Sequence, residues 1–320
     1  MSRASVVITC YNQEEYIGAA IESVVQQTRY DAIVEIIVVD DGSTDDSEVV
    51  IQGWADRCEK IHYCYQENQG VSAARNEGIR RSSADYIAFL DGDDLWCEDR
   101  LKHQLKSAKE HPDVGLFYGD VYSFEGDPSD RTRGYCSTFE HDDEDVLPKL
   151  YLHGAPILLS TTLINCECFR TVGLFDPRLR RGQDTDMWLR IASAYPIQHI
   201  PRPLVLKRQH EESLGADIEK KAHSLLSVTD KIADRYPELD PLRRRRKAKI
   251  RSGLSRNRLV SGNRAGAVKS ALNAIALDPL TMKHHATLGF ALLPFSSRQL
   301  RWIRGRIQGA KRKMNRWLWS

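Results

Sequence analysis

The chain has 320 residues, 41% hydrophobic and 28% charged, with a formal net charge of +2, which is too apolar for a disordered chain and long enough for one large domain with an appendage. No run of about 18 uncharged apolar residues occurs, and the start MSRASVVITCYN lacks the basic, apolar and small-residue succession of a signal peptide, so the sequence predicts a cytoplasmic protein without a bilayer-spanning segment. Residues 241–320 hold 20 of the 46 Lys and Arg against one acid, Asp278, leaving residues 1–240 with 26 basic and 43 acidic side chains, so the two parts have different work to do. The seven cysteines are scattered singly or as Cys166 and Cys168, a spacing that fits reduced packing thiols rather than a disulfide framework or a zinc site.

In chain order, ASVVITCYN reads as a short buried strand, and EEYIGAAIESVVQQT spaces its apolar residues at helical intervals. VEIIVVDDGSTDDS is a second strand that ends in carboxylates and leads into a helix at Thr44–Ser47; IHYCYQEN is a third strand, GVSAARNEGIRRS a helix and DYIAFLDGDD a fourth strand. The helix EDRLKHQLKSAKEHPDV and the strand GLFYGDVYSF follow, then a turn-rich loop, EGDPSDRTRG, and HDDEDVLPKLYLHG, which starts acidic and becomes helical. A strand, a loop and the helix carrying Met187, Trp188 and Ile191 precede the last strand, PLVLKRQH, and a helical tail. This alternation predicts an α/β domain over residues 1–215, with a mostly parallel central sheet and helices on both faces, and a basic helical extension over 216–320. In such sheets ligands gather at the carboxyl ends of the strands, where Thr9, Asp40 and Asp91 fall.

Asp91, Asp93 and Asp94 crowd around Gly92, read here as permitting an abrupt turn through its backbone freedom. Two carboxylates one residue apart can reach one divalent cation, and hard oxygen donors suit Mg²⁺ or Mn²⁺; a solvated acidic turn capping the next helix is the plain alternative. Asp40, followed by Gly42, Ser43 and Thr44, is placed to accept hydrogen bonds from a base or ribose beside an anion-favouring helix start, or simply to cap that helix. Asp184 and Asp186 precede a helix, where one carboxylate can take a proton from a hydroxyl nucleophile and the other serve as a cap. Trp96 and Trp188 are read as packing residues, with an acceptor-side surface the alternative for Trp188.

With these elements in hand the sequence resembles the family 2 inverting glycosyltransferases with the GT-A fold, through the words SVVITCYNQEEYIGAAIESVVQQT, EIIVVDDGSTDDS, NQGVSAARNEGI, DYIAFLDGDDLW, VGLFDPRL and GQDTDMWLRIA, in that order over roughly residues 3–210. The resemblance implies that Thr9, Tyr11, Glu14 and Asp40 hold the base and ribose of a nucleotide sugar, a UDP-sugar, with Arg75 near the nucleotide. It implies that Asp91 and Asp93 form the D-x-D that holds the donor diphosphate through Mn²⁺ or Mg²⁺, with His210 close to the metal. Asp184 matches the second acid of the family's Glu-Asp pair, the general base; Gln183 stands where the first acid is expected. The implied reaction is a metal-dependent transfer of a sugar, with inversion, to a hydroxyl of a glycan or lipid-linked saccharide. Two other readings stand beside it: a non-catalytic glycan- or nucleotide-binding homologue, and a sugar-nucleotide nucleotidyltransferase, whose glycine-rich basic loop TCYNQEEY does not supply.

In the tail, helices joined by the Gly262-Asn263 turn are expected, the second resembling a helix of a tetratricopeptide-type pair, and one such unit does not make a repeat. Leu300, Ile303, Ile307, Ala310, Met314 and Trp317 form one apolar stripe among Arg and Lys. Such a helix suits the surface of an anionic membrane at its inner face, or docking on the acidic catalytic domain. No nucleic-acid-binding module is present, so no nucleic acid partner is expected.

Overall fold

Strand β1 (Ala4–Cys10) is buried at all seven positions, as expected of an apolar run without polar alternation that is covered on both faces. It pairs in parallel with β2 (Ile33–Asp40) and with β4 (Tyr86–Asp91), and β2 pairs in parallel with β3 (Ile61–Tyr65). The computed structural model describes residues 2–134, 146–154, 157–210 and 218–293, and the chain divides into two compact units, Met1–Ala216 and Asp217–Ser320.

Four further strands complete the path of the first unit's sheet: β5 (Leu95–Trp96), β6 (Leu116–Phe124), β8 (Leu163–Asn165) and β9 (Ile197–Arg208); β7 (Arg131–Gly134) pairs with β6 off that path. The order is β3-β2-β1-β4-β8-β6-β9-β5. The long ladders are parallel, including β6 on β9, whereas the antiparallel ones (β4 on β8, β6 on β8, β6 on β7, β5 on β9) span only two to four residues.

Helices cover both faces. On one, Val6 and Ile8 pack with Ile17, Ile21 and Val24 of α1 (Ile17–Val25), Ile51 of α2 (Ser47–Ala55) and Leu101 and Leu105 of α4 (Arg100–Glu110). On the other, Ile37, Val39 and Cys64 meet Ala74 of α3 (Val71–Arg81). Here α3 lies so close to β1 that a Cβ on Gly78 would sit 2.3 Å from Val7 Cγ1, so glycine is required by the approach of helix to strand.

Two elements depart from the sequence expectation. The end of the loop EGDPSDRTRG is strand β7, whose Arg131, Thr132 and Arg133 are exposed; a strand with no buried face carries no apolar alternation to read. The stretch after β8 also forms helix α6 (Cys166–Val172), started by the Asn165 side chain accepting from Glu167 N and burying Cys168, Phe169 and Val172. Helices α5 (Val146–His153) and α7 (Gln183–Ala192) fall where they are predicted. Asn76 ties α3 to the loop ahead of α7: its amide donates to Phe175 O at 2.8 Å and its Oδ1 accepts from Phe175 N at 2.9 Å. That reciprocal pair links the words ARN and GLFDP, which are far apart in sequence.

The second unit consists, among its described residues, of α8 (Ile218–Arg235), α9 (Asp240–Val260), α10 (Arg264–Leu277) and α11 (Met282–Leu292), with a short 3₁₀ turn at Pro237–Leu239. Acids of α8 meet the basic run of α9, Lys247 to Asp230 at 2.6 Å and Arg258 to Glu219 at 2.8 Å, so part of the basic excess is neutralised inside this unit. Asn263 caps α10 by accepting from Gly266 N at 2.9 Å. The predicted amphipathic stripe, Leu300–Trp317, lies outside the described residues. Among the described residues no helix is long and apolar enough to cross a membrane, and the six of the seven cysteines that fall among them are free thiols.

Candidate active site

Parallel register brings the ends of β1, β2, β3 and β4 level: Thr9 lies opposite Asp91, Cys10 opposite Asp40, and Asp40 opposite Tyr65. Beyond Asp91 the chain turns through Gly92, Asp93 and Asp94 into β5, where Leu95 and Trp96 pair with Leu206 and Val205 of β9. The short β5–β9 ladder therefore carries Lys207, Arg208 and His210 alongside the acidic turn.

The turn is held from several sides. Ser160 Oγ accepts from Asp91 N at 3.2 Å and donates to Asp94 Oδ2 at 2.7 Å, while Arg208 donates from its backbone N to Asp94 Oδ1 at 3.1 Å and from Nε to Asp93 O at 3.2 Å. Asp94 is fully buried. Burial pushes its pKa up to about 7, against the pull of Lys207 and with the repulsion of Asp91 and Asp93 adding to the rise. Its work is to fasten the turn.

Gly92 is needed for a different reason from the one the sequence suggests. Its φ is not in the left-handed region; instead a Cβ there would lie 2.4 Å from Gln13 Oε1 and 3.0 Å from Thr9 O. Gly92→Ala is expected to force the turn off the end of β1 at a cost of ~1–3 kcal/mol, the usual range for overpacking. Denaturant unfolding checks this, and a variant as stable as the wild type would show that the turn gives way freely.

Two clusters of charge form on this frame. Asp93 Oδ2 and His210 Nε2 are 2.8 Å apart, and the His210 ring lies 5.5 Å from that of Tyr16. Arg75, 4% exposed, forks between two carboxylates, with NH1 donating to Asp184 Oδ1 at 2.7 Å and NH2 to Asp91 Oδ1 at 3.1 Å. The structure thus joins Arg75, Asp91 and Asp184, three residues predicted separately from the sequence, through one guanidinium. Burial raises the pKa of Asp184, and Arg75 works against that rise. Lys207 lies among the same acids: burial alone would lower its pKa, but Asp94, Asp91, Asp93 and Asp184 together hold it above the ordinary lysine value.

The remaining predicted residues line the neighbouring strand ends. Thr9 is buried beside Asp91, its carbonyl accepting from Gly92 N at 3.0 Å, and Tyr11 is 49% exposed. The Glu14 carboxylate accepts from Asp46 N at 2.7 Å and so clamps the first loop to the start of α2. Asp40 is buried, with Oδ1 accepting from Ser43 N at 2.8 Å and Oδ2 from the Tyr63 hydroxyl at 3.2 Å. Asp41 is likewise spent on the loop at Gln66–Gly70. Asp186 is not the helix cap the sequence suggests: the cap position is Gly182, and Asp186 is a buried partner of Arg190 at 2.9 Å. Arg190 in turn donates to the carbonyls of Val172, Gly173 and Leu174. Trp188 is fully buried, donating to Ile157 O at 3.2 Å, so packing holds for it rather than an acceptor-side surface.

Sequence reasoning missed Ser160, Lys207 and Arg208. The first stands in an unpatterned stretch, and the other two became visible only through the β5–β9 pairing. Among the described residues no three His, Cys, Asp or Glu side chains converge as a ready cation site; Asp93 and His210 form a pair, with Asp91 two residues before Asp93 in sequence.

An uncharacterized glycosyltransferase of Rickettsia bellii is 30% identical over 231 residues, 71% of this chain and 32% of that protein, so this chain spans about a third of that relative's length. The putative teichuronic acid biosynthesis glycosyltransferase TuaG of Bacillus subtilis is 33% identical over 187 residues, 58% of this chain and 70% of TuaG. Among solved structures, TarS 1–349 of S. aureus in complex with UDP-GlcNAc matches with a TM-score of 0.64 at 16% identity, covering 90% of this chain and 88% of that one; the likeness is one of fold. The family model for glycosyl transferase family 2 matches residues 5–170, a stretch that includes Thr9, Asp40, Arg75 and Asp91, so the chain belongs to that family.

Proposed function

We propose that the protein transfers a sugar from a nucleotide-diphosphate sugar to a hydroxyl of a glycan or lipid-linked saccharide, with inversion at the anomeric carbon. The observation that carries this reading is the Arg75 fork, which holds a donor-side carboxylate, Asp91, and a base candidate, Asp184, on one guanidinium. TuaG, named for teichuronic acid biosynthesis, and TarS, solved with UDP-GlcNAc and with UDP, support a saccharide acceptor and a UDP-sugar donor.

In this mechanism Asp184 takes the proton of the acceptor hydroxyl as its oxygen attacks the anomeric carbon; the bond to the diphosphate breaks, and its electron pair leaves with the diphosphate. One displacement suffices, so no enzyme nucleophile is required. Arg75 orients the base and keeps Asp91 and Asp184 from repelling each other. Lys207, a cation among carboxylates, is a group that can shift toward the leaving diphosphate as negative charge builds there.

The donor set suits Mn²⁺ or Mg²⁺: a carboxylate and an imidazole, Asp93 and His210, face each other, with Asp91 close in sequence. These residues would hold the ion. With two or three protein donors, most of its coordination would be left to water and phosphate oxygens. When bound, the ion neutralises charge on the diphosphate.

Calorimetry tests the donor half directly. UDP is expected to bind the wild type more tightly with Mn²⁺ than without, and Asp93→Asn to abolish the difference. UDP binding that is indifferent to Mn²⁺ would remove the metal from the reading; no binding of any nucleoside diphosphate would remove the donor.

A further inference from the structure

Helix α11 buries His284, Thr287 and Ala291, and Ala291 joins Leu259 of α9 and Ala267 of α10 in one small core. Its outward face is not the polar one expected of a surface helix. Met282, Ala286, Gly289 and Leu293 recur there at steps of three and four, all exposed, Met282 at 76% and Leu293 at 47%, with Leu292 beside them at 65%. Stacked helices that end in solvent ordinarily close with a polar face, so the stack is left open at α11.

Gly289 sharpens the point. Glycine inside a helix is destabilising relative to alanine, yet a Cβ at Gly289 would meet nothing within 4 Å among the described residues, so none of them requires a glycine there. With Ala286 one turn away, it makes a shallow waist between Met282 and Leu293. Such a waist suits the close approach of a second helix carrying bulky side chains. A face made to enter a lipid surface would carry large apolar residues at those two positions instead.

The next stretch of the chain has the matching pattern. Leu293 is extended, with φ −73° and ψ 145°, as a residue before proline is, and its carbonyl accepts from Arg264 at the start of α10. The chain therefore leaves α11 at one end of the open face and continues as PFSSRQLRWIRGRIQGA. Ser296 and Gln299, three apart ahead of an apolar residue, read as a capping box. Leu300, Ile303, Ile307 and Ala310 then follow at helical spacing, with Arg301, Gly305 and Gly309 on the opposite side. A connection as short as Pro294 to Ser296 makes consecutive helices antiparallel neighbours. In that arrangement Leu300 falls against Leu293, Ile303 and Ile307 against the waist at Gly289 and Ala286, and Ala310 against Met282. Because α11 contains no acid, the match is apolar and owes nothing to ion pairs.

We infer that residues 300–310 dock antiparallel on the open face of α11, as the last helix of the second unit. The inference stands apart from the proposed transfer reaction.

The test uses the full chain, whose second unit contains no native cysteine. Met282→Cys combined with Ala310→Cys is expected to give a bismaleimide crosslink within one chain, mapped by mass spectrometry, at low and high salt alike, since an apolar contact is not screened. Met282→Cys combined with Gly309→Cys, which faces away, should give far less. Hydrogen exchange gives a second reading without crosslinker: Ile303→Asp and Ile307→Asp should speed exchange over Met282–Leu292 several-fold, and Arg301→Asp should leave it unchanged. A crosslink found only between two chains would make the occupant a second copy. Sedimentation with phosphatidylglycerol vesicles that is lost in Ile303→Asp and Ile307→Asp, while exchange over α11 stays as in the wild type, would make it a lipid surface. Either result overturns the inference, as does an α11 whose exchange ignores both isoleucine variants in the absence of vesicles.

Discussion

Asp184→Asn is expected to lower kcat by about 10²–10⁴-fold, the usual contribution of a positioned general base, with UDP affinity held within about threefold by the same scale of reasoning. Asparagine keeps an oxygen for Arg75 NH1, which now donates to Asp184 Oδ1 at 2.7 Å, so the fork survives while basicity is lost. The Asp184 side chain is 35% exposed, enough for an acceptor hydroxyl to reach it. The pH dependence follows from its surroundings. Burial holds the Asp184 pKa above the ordinary carboxylate value, Arg75 opposing, and the base works only when ionised. Activity is then complete above that raised pKa and lost as pH falls through it. A kcat profile checks this; a wild type that stays active down to about pH 4, the ordinary carboxylate value, would contradict the assignment, as would a fully active Asp184→Asn.

Arg75→Met should be the second most damaging change, and in two ways at once. It leaves Asp91 and Asp184 facing each other without the guanidinium they share at 3.1 and 2.7 Å. Fully buried pairs broken on one side cost about 3–5 kcal/mol; here the carboxylates keep 27% and 35% exposure, so about 2 kcal/mol is expected by that scale. The same loss removes the group that opposes the rise in the Asp184 pKa, so the acid limb of the rate profile moves to higher pH, and kcat/KM falls by about 10² or more as the base loses its position. Arg75→Lys restores a charge but not a planar fork able to donate from two nitrogens to two carboxylates. It should recover part of the stability and little of the rate. Urea unfolding and pH profiles on both variants check this, and an Arg75→Met protein with wild-type stability and an unmoved acid limb would deny Arg75 this role.

Much of this site is legible in the sequence because parallel strands write their ends plainly. Thr9, Asp40 and Asp91 each close an apolar run, and register alone brings them level. What the residues could not reveal is how polar groups are spent. Asp40 and Glu14 read as ligand-facing acids, yet each already accepts backbone or side-chain hydrogen bonds from nearby loops. Asp186 and Asp184 look equivalent at two-residue spacing, but at the start of α7 that spacing turns one to the interior and Arg190 and the other to Arg75. Lys207 gave no signal, because a lysine near the end of a strand is ordinary until β5 pairs with β9 and sets it among acids. Strand β7 and helix α6 escaped for a simpler reason: one has no buried face, and the other is a short helix directly after a strand.

The most direct test is the anomeric configuration of the sugar released when water replaces the acceptor. UDP-Glc, UDP-Gal and UDP-GlcNAc, all α-linked, would each be incubated with the protein and Mn²⁺, and the anomeric protons of any released sugar followed by NMR before mutarotation mixes the anomers. The account predicts that the β anomer appears first, and that its release is slowed in Asp184→Asn. Release of the α anomer first, or release at the same rate from Asp184→Asn, would contradict a single displacement driven by Asp184.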